Sequence, residues 1–295
     1  MPILEIIGVI TPIFIIAVVG FIVGKFKQLS LKTMADLIIY ICSPALAFVL
    51  LSQTQIDLRE ISSIALAALL VILGTGAICF LLIKLSGKTV PTGFYLPVMF
   101  MNSGFIGYPI TLFAFGELGL SKAIIFDITN AILIFTLGIY MISQKKDHWQ
   151  VLKIPFLYAA IAGIFISWLN IQIPDPVFIP INLVGQITVP MALFMLGYRL
   201  ANIEITSVKL PLLASLLRLT LGLALGILVV YLLKLDGVTA KVVVLIASTS
   251  SAISTIAISE EYNSSPNLVA STIALSTIIW ALSIGFILNW VAFIP

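Results

Sequence analysis

The sequence predicts an all-α polytopic membrane protein of ten transmembrane helices, built as two inverted five-helix repeats. Three observations carry this. Of 295 residues, 61% are hydrophobic and 9% charged, with a mean hydropathy of +1.23, whereas about a quarter of a soluble domain is charged. Apolar stretches of about 20 residues, long enough to cross the hydrocarbon core, recur along the whole chain. Segments of the first half also recur, weakly, in the second.

Windows of that length place spans near 3–24, 34–54, 61–84, 92–115, 121–143, 154–171, 178–198, 210–233, 241–260 and 267–293. The first carries Glu5 and Pro12 but no basic n-region and no small-residue cleavage site, so it reads as a retained span rather than a signal peptide. Cys42 and Cys79 lie in apolar segments without C-x-x-C spacing and read as packing residues. Lys and Arg are retained on the cytoplasmic side. With both termini outside, ten basic residues fall in inner loops (Lys25, Lys27, Lys32, Lys84, Lys88, Lys145, Lys146, Lys153, Arg199 and Lys209) and four in outer ones. The chain is therefore expected in the cell membrane, multi-pass, with both termini outside.

The repeat shows in register. An offset of 146 aligns Asp36–Leu50 with Asn182–Leu196 and pairs Pro44 with Pro190. An offset of 143 pairs Pro12 with Pro155 and Gly20 with Gly163, and one of 150 pairs Lys84 and Gly87 with Lys234 and Gly237. The expected organisation is a first repeat at 1–143, a short cytoplasmic connector at 144–153 holding the lone histidine, His148, and a second repeat at 154–295. Five spans is an odd number, so the halves enter the membrane from opposite sides. Pro44 and Pro190 are expected to kink helices at equivalent points.

Within the fourth span, Asn102 to Pro109 reads N-S-G-F-I-G-Y-P. An amide, two glycines and a proline at mid-span mark a broken helix. In hydrocarbon such a break survives only where it is buried in protein or lines a wet cavity. Inverted repeats with an interrupted helix in each half are the pattern of secondary transporters, whose substrate site lies where the breaks approach. No nucleotide-binding loop, H-E-x-x-H or Gly-x-Ser-x-Gly is present, so no ATP-driven pump, hydrolase or cofactor is indicated. The net charge of +3 reflects topology and is no sign of nucleic-acid binding.

N-S-G-F-I-G-Y-P resembles the N-x-G-x-x-G-x-P element of the auxin efflux carrier family, which includes plant PIN-type auxin carriers and bacterial carriers assigned to malate or malonate. The run S-E-E-Y-N-S-S-P-N-L-V-A-S-T, Ser259 to Thr272, is similar to the junction of that family's ninth and tenth helices. The resemblance implies a fold related to bile-acid sodium symporters and sodium/proton antiporters, with broken helices 4 and 9 crossing. Helices 1, 2, 6 and 7 would form a scaffold and dimerisation domain, and helices 3–5 and 8–10 a moving transport domain in a homodimer. Carried over, Asn102 would face substrate, and Gly104, Gly107 and Pro109 would shape the first crossover. The second would lie between Ser248 and Thr255, with Ser250, Ser251 and Thr255 in it. Plant members have prolines at the positions of Ser250 and Thr255, and here hydroxyls are expected to satisfy the freed carbonyls instead.

Half-helix N-termini suit a carboxylate, and Asn102 and the Ser248–Ser251 hydroxyls would add partners. The bland alternative is that such residues only hydrogen-bond neighbouring helices. Among intramembrane charges, which are functional candidates by default, Asp127 would carry a coupled proton, or else sit in the outer interface or pair with Lys122. Arg218 would neutralise a substrate carboxylate or an internal acid, or else snorkel to the interface. Glu260 would take part in ion coupling, or else sit with Glu261 at the interface. The expected function is secondary transport of a small organic anion, auxin-like or a mono- or dicarboxylate, by elevator-type alternating access coupled to protons, sodium or neither. A channel and a membrane sensor are the alternatives.

Overall fold

The computed structural model describes residues 3–54, 57–143, 155–202 and 208–294. The expected connector at 144–153, with His148, lies outside the described residues. A lipid-embedded chain must satisfy its backbone within each segment, and the regular structure among the described residues is accordingly helical, with one isolated β-bridge. Helix α1 (Ile3–Phe26) is followed by α2 (Leu31–Leu37), which runs through a π-helical turn (Ile38–Cys42) into α3 (Ser43–Gln53). Next come α4 (Leu58–Leu85), the short α5 (Tyr95–Met99), a second π-helical turn (Ser103–Gly107) and α6 (Tyr108–Leu133), which continues through Ile134–Gly138 into α7 (Ile139–Ile142). The remainder is α8 (Pro155–Trp168), α9 (Asp175–Gln186), α10 (Thr188–Ala201), α11 (Lys209–Leu233), α12 (Gly237–Ala247), α13 (Ser254–Glu261) and α14 (Pro266–Val291).

Among the described residues, seven stretches are long and apolar enough to cross a membrane: Leu4–Phe26, Leu31–Gln53, Leu58–Leu85, Ser103–Ile142, Asp175–Ala201, Lys209–Leu233 and Pro266–Val291. The chain is a polytopic membrane protein. Leu4, Ile7, Ile15, Val18 and Ile22 of α1 are exposed, a face suited to lipid. The forty-residue stretch is bent at Gly116, whose φ of 67° and ψ of −162° fall where a residue without a Cβ is at ease. The chain turns there, inside what helix assignment alone would call one rod.

Close helix contacts run over small residues, as is usual when lipid offers no hydrophobic drive. Helix α1 lies against α10 so tightly that a Cβ on Gly20 would stand 2.0 Å from the Phe194 carbonyl oxygen, and one on Gly197 would stand 1.7 Å from that of Ala17. Pro44 falls in the first turn of α3, just after the π-helical turn, and Pro190 follows the interruption at Ile187 between α9 and α10. The two irregular turns lie close to Pro44 and Pro190, which the 146-residue offset pairs, and residues at both reach the cavity described below.

Lys122 is buried and forms an ion pair with Glu60, whose carboxylate also accepts from the Thr239 hydroxyl. This joins α6, α4 and α12. The alternative in which Lys122 pairs with Asp127 is therefore replaced: Lys122 reaches a neighbouring helix, and Asp127 takes other partners.

Candidate functional site

Among the described residues, two buried stretches interrupt the helices and meet each other. The first runs from Phe100 to Asn102, between α5 and the π-helical turn, and the second from Ser248 to Ile253, between α12 and α13. The two extended pieces lie antiparallel. The Asn102 amide donates to the Ser250 carbonyl at 2.9 Å, the Ala252 amide to the Phe100 carbonyl at 2.9 Å, and Met101 and Ser251 stand opposite each other. Each break thereby satisfies backbone groups that the other leaves open, as burial requires.

The first break sits one turn earlier than N-S-G-F-I-G-Y-P suggests. Asn102 ends it by capping the helix that restarts: its side-chain oxygen accepts from the Phe105 amide at 3.2 Å, and its carbonyl accepts from Ile106 and Gly107 at 3.3 and 3.0 Å. Gly104 and Gly107 therefore lie in the π-helical turn and Pro109 in the first turn of α6. Proline is tolerated there because first-turn amides need no helical partner. These three residues shape the restart rather than the gap.

At the second break the hydroxyls turn inward, as the composition suggests. Ser248, Thr249 and Thr255 donate to the carbonyls of Leu245, Ile246 and Ala252 at 2.7, 2.8 and 2.7 Å. Helix α14 supplies the rest: Ser276 Oγ accepts from the Ser251 amide at 3.1 Å, and Thr277 donates to Ser250 Oγ at 3.1 Å. Ser250, Ser251 and Thr255 are fully buried, and their side chains belong to the crossing itself.

Beside the crossing lies a cavity of about 110 Å³. Asn102, Ser103, Gly104, Tyr108, Asp127 and Asn130 line it, with Ala252 of the second break and Ser254 at the start of α13, and Ile38, Ser43, Thr188 and Ala192 come from the two irregular turns and the helices that follow them. Among the described residues lining it there is one acid, Asp127, and no Lys, Arg or His. Asp127 accepts from Tyr108 Oη at 2.7 Å and from Ser103 Oγ. Asn130 donates to Ser103 Oγ at 2.7 Å and to the Met101 carbonyl at 2.9 Å. Three buried polar atoms of lining residues have no hydrogen-bond partner: Asn102 Nδ2, Asn130 Oδ1 and Thr188 Oγ1. An orphaned buried donor beside a cavity is a place for a ligand acceptor.

The structure brings Asn102, Gly104 and Asp127 to the cavity. It does not bring Pro109, Ser250, Ser251 or Thr255 there, and Gly107 faces Ile246. Glu260 is exposed in the last turn of α13, away from the cavity, because the helix that leaves the crossing carries it to its far end. Sequence reading did not single out Ser103, Tyr108, Ser276 and Thr277. Only Ser103 and Tyr108, inside the broken motif, carried any signal. Arg218 is fully buried and does not reach the cavity.

Comparison with known proteins places this arrangement. The family described as membrane transport protein matches residues 5–154 and 143–288. The chain is 26% identical over 288 residues to an uncharacterised transporter of Methanocaldococcus jannaschii, covering 91% of this chain and 93% of that one. It is 29% identical over 293 residues to an uncharacterised transporter of Methanothermobacter thermautotrophicus, covering 92% and 94%. A Rhizobium meliloti protein named "Putative malonate transporter" is 26% identical over 306 residues, covering 93% and 92%. With nearly the whole length matched and the broken-helix element in place, this chain belongs to the membrane transport protein family, that of the auxin efflux carriers.

Proposed function

We propose that the protein is a secondary carrier of a small organic anion, working by elevator-type alternating access. The observation that carries this reading is the cavity at the crossing, where two restarting helices, at Ser103 and Ser254, begin beside the unpaired Asn102 Nδ2. Each helix N-terminus carries a partial charge of up to roughly +0.5, and unpaired first-turn amides are donors for a carboxylate. In a cavity whose described lining holds no cationic side chain, these ends and Asn102 are what replaces the anion's water. No covalent step is needed. The work is desolvation and its compensation by fixed dipoles.

In this reading Ser103–Ile142 counts as two passes joined at Gly116, and α5 with α6, and α12 with α13, as broken passes. Ten passes follow, in two inverted halves, with both termini outside. The bent helices α2–α3 and α9–α10, with α1 and α8, form the scaffold and the homodimer contact, and the crossing moves with the rest. Asp127, held by Tyr108 and Ser103 at the cavity, is the residue we assign to proton coupling.

The test is uptake of radiolabelled indole-3-acetate, malonate and malate into proteoliposomes under a sodium gradient, a proton gradient or neither. Saturable uptake of one compound, lost in Asn102→Ala at equal protein level, is expected. Absence of uptake of all three by folded protein would count against an anion of this size class.

A further inference from the structure

Arg218 sits at the middle of α11 with no accessible surface. A guanidinium without solvent is costly unless its donors are satisfied, and its partners are not carboxylates. Nη1 donates to the carbonyls of Val98 and Met99 at 3.2 and 3.0 Å, and Nη2 donates to the carbonyl of Ala247, while the buried Nε has no hydrogen-bond partner. Val98 and Met99 are the last residues of α5, and Ala247 is the last of α12. One side chain therefore holds the C-terminal carbonyls of both helices that run into the crossing.

Two features make the placement specific. A helix C-terminus carries up to roughly −0.5 of a charge, so two such ends together match a single fixed cation. Only a planar fork reaches two helices at once, which an ammonium on a flexible stem does not reproduce. The second feature is Gly222, one turn further along α11. A Cβ there would stand 1.8 Å from Arg218 Nη2 and 2.2 Å from the Ala247 carbonyl oxygen. The missing side chain is the space in which the guanidinium lies, and Gly226, a further turn on, lets α11 stay close to α12.

We infer that Arg218 is the built-in cation of the crossing: a positioning residue that clamps the two incoming half-helices by their carbonyl ends, so that the crossing needs no bound metal cation. This rests on the crossing alone and holds for any cargo. It differs from both sequence expectations for Arg218, which were neutralisation of a substrate or acid and snorkelling to the interface.

The experiment compares purified wild type, Arg218→Lys and Arg218→Ala in thermal unfolding, in choline, sodium or guanidinium chloride at equal low-millimolar concentration. Wild type is expected to melt at one temperature in all three salts. Arg218→Ala should melt several degrees lower in choline and sodium, with guanidinium restoring at least half of the loss. Arg218→Lys should fall between, and it carries the comparison if Arg218→Ala does not fold. In proteoliposomes, Arg218→Lys should lower maximal uptake at least tenfold with KM within about threefold, because Arg218 does not line the cavity. A sodium-specific rise in wild-type melting, no selective rescue by guanidinium, or a KM that rises in step with the loss of rate would each overturn the assignment. Failure of the anion-carrier reading would instead appear as no uptake by wild type, with the melting pattern intact.

Discussion

The backbone amide of Asn102 donates to the carbonyl of Ser250 across 148 residues of chain at 2.9 Å, while the side chain of the same asparagine caps the helix that follows. One residue thus ties the two breaks together and begins one of the two helices that face the cavity. Its side-chain oxygen is committed to Phe105, and its side-chain nitrogen to nothing.

That division of labour separates folding from binding. Asn102→Asp keeps the capping oxygens and loses the free donor, so it should fold and bind poorly. Asn102→Ala loses both, with about 1 kcal/mol of capping stability gone as well. Loss of a hydrogen bond to a charged ligand is worth about 1.5–3 kcal/mol, a rise in KM of roughly ten- to a hundredfold. Uptake kinetics with melting temperatures for both variants check this, and a normal KM in Asn102→Asp would remove the nitrogen from the site.

Ser276 is expected to matter for stability more than for transport. Its hydroxyl accepts from the buried amide of Ser251, and Ser276→Ala leaves that amide unsatisfied at a cost of about 1–3 kcal/mol. Unfolding of the purified variant should shift down accordingly, with KM unchanged. An unshifted curve would mean that the amide has another acceptor.

Asp127→Asn keeps one acceptor oxygen for one of the two hydroxyls, and its amide nitrogen can donate to the oxygen of the other, so it should leave the fold in place and flatten the pH profile of uptake. If the carboxylate carries a coupled proton, wild-type uptake rises as the side supplying substrate is acidified and the variant's does not. The groups facing Asp127 are the Tyr108 and Ser103 hydroxyls and the Asn130 amide, and Lys122 is engaged by Glu60. Parallel profiles for the two proteins would return Asp127 to a structural role.

The α1–α10 contact gives the sharpest stability contrast. Gly197→Val places a side chain where a Cβ already meets the Ala17 carbonyl oxygen at 1.7 Å, whereas a Cβ on Gly8 would point into open space, with no atom outside its own stretch of helix within 4 Å. Gly197→Val should lose monodisperse protein in detergent chromatography, and Gly8→Ala should retain it. Equal yields would show that the helices can part without cost.

Family membership and the polytopic helical fold were legible because composition and one short motif state them directly. Gly104, Gly107 and Pro109 drew attention to the first break but lie just beyond it. The extended residues themselves, Phe100 and Met101, are apolar and look like any membrane helix, and only their pairing with Ser250–Ala252 keeps them extended. Ser276 and Thr277 gave no signal, since hydroxyls in an apolar helix are usual and their partners are 25 and 27 residues away. Arg218 was visible as a buried charge, but its partners are backbone carbonyls, which carry no residue identity. Glu260 read as a coupling candidate because related bile-acid symporters have sodium-coordinating residues at the end of this span, and eight residues of α13 carry it to an exposed end.

The antiparallel pairing at Met101 and Ser251 has a bearing on divergence. Its bonds run between main chains, so any residue with an amide at the donating positions preserves the joint, and side chains there are free to change. A substitution of Asn102, which also lines the cavity, can therefore change what the cavity presents without undoing the main-chain joint beside it.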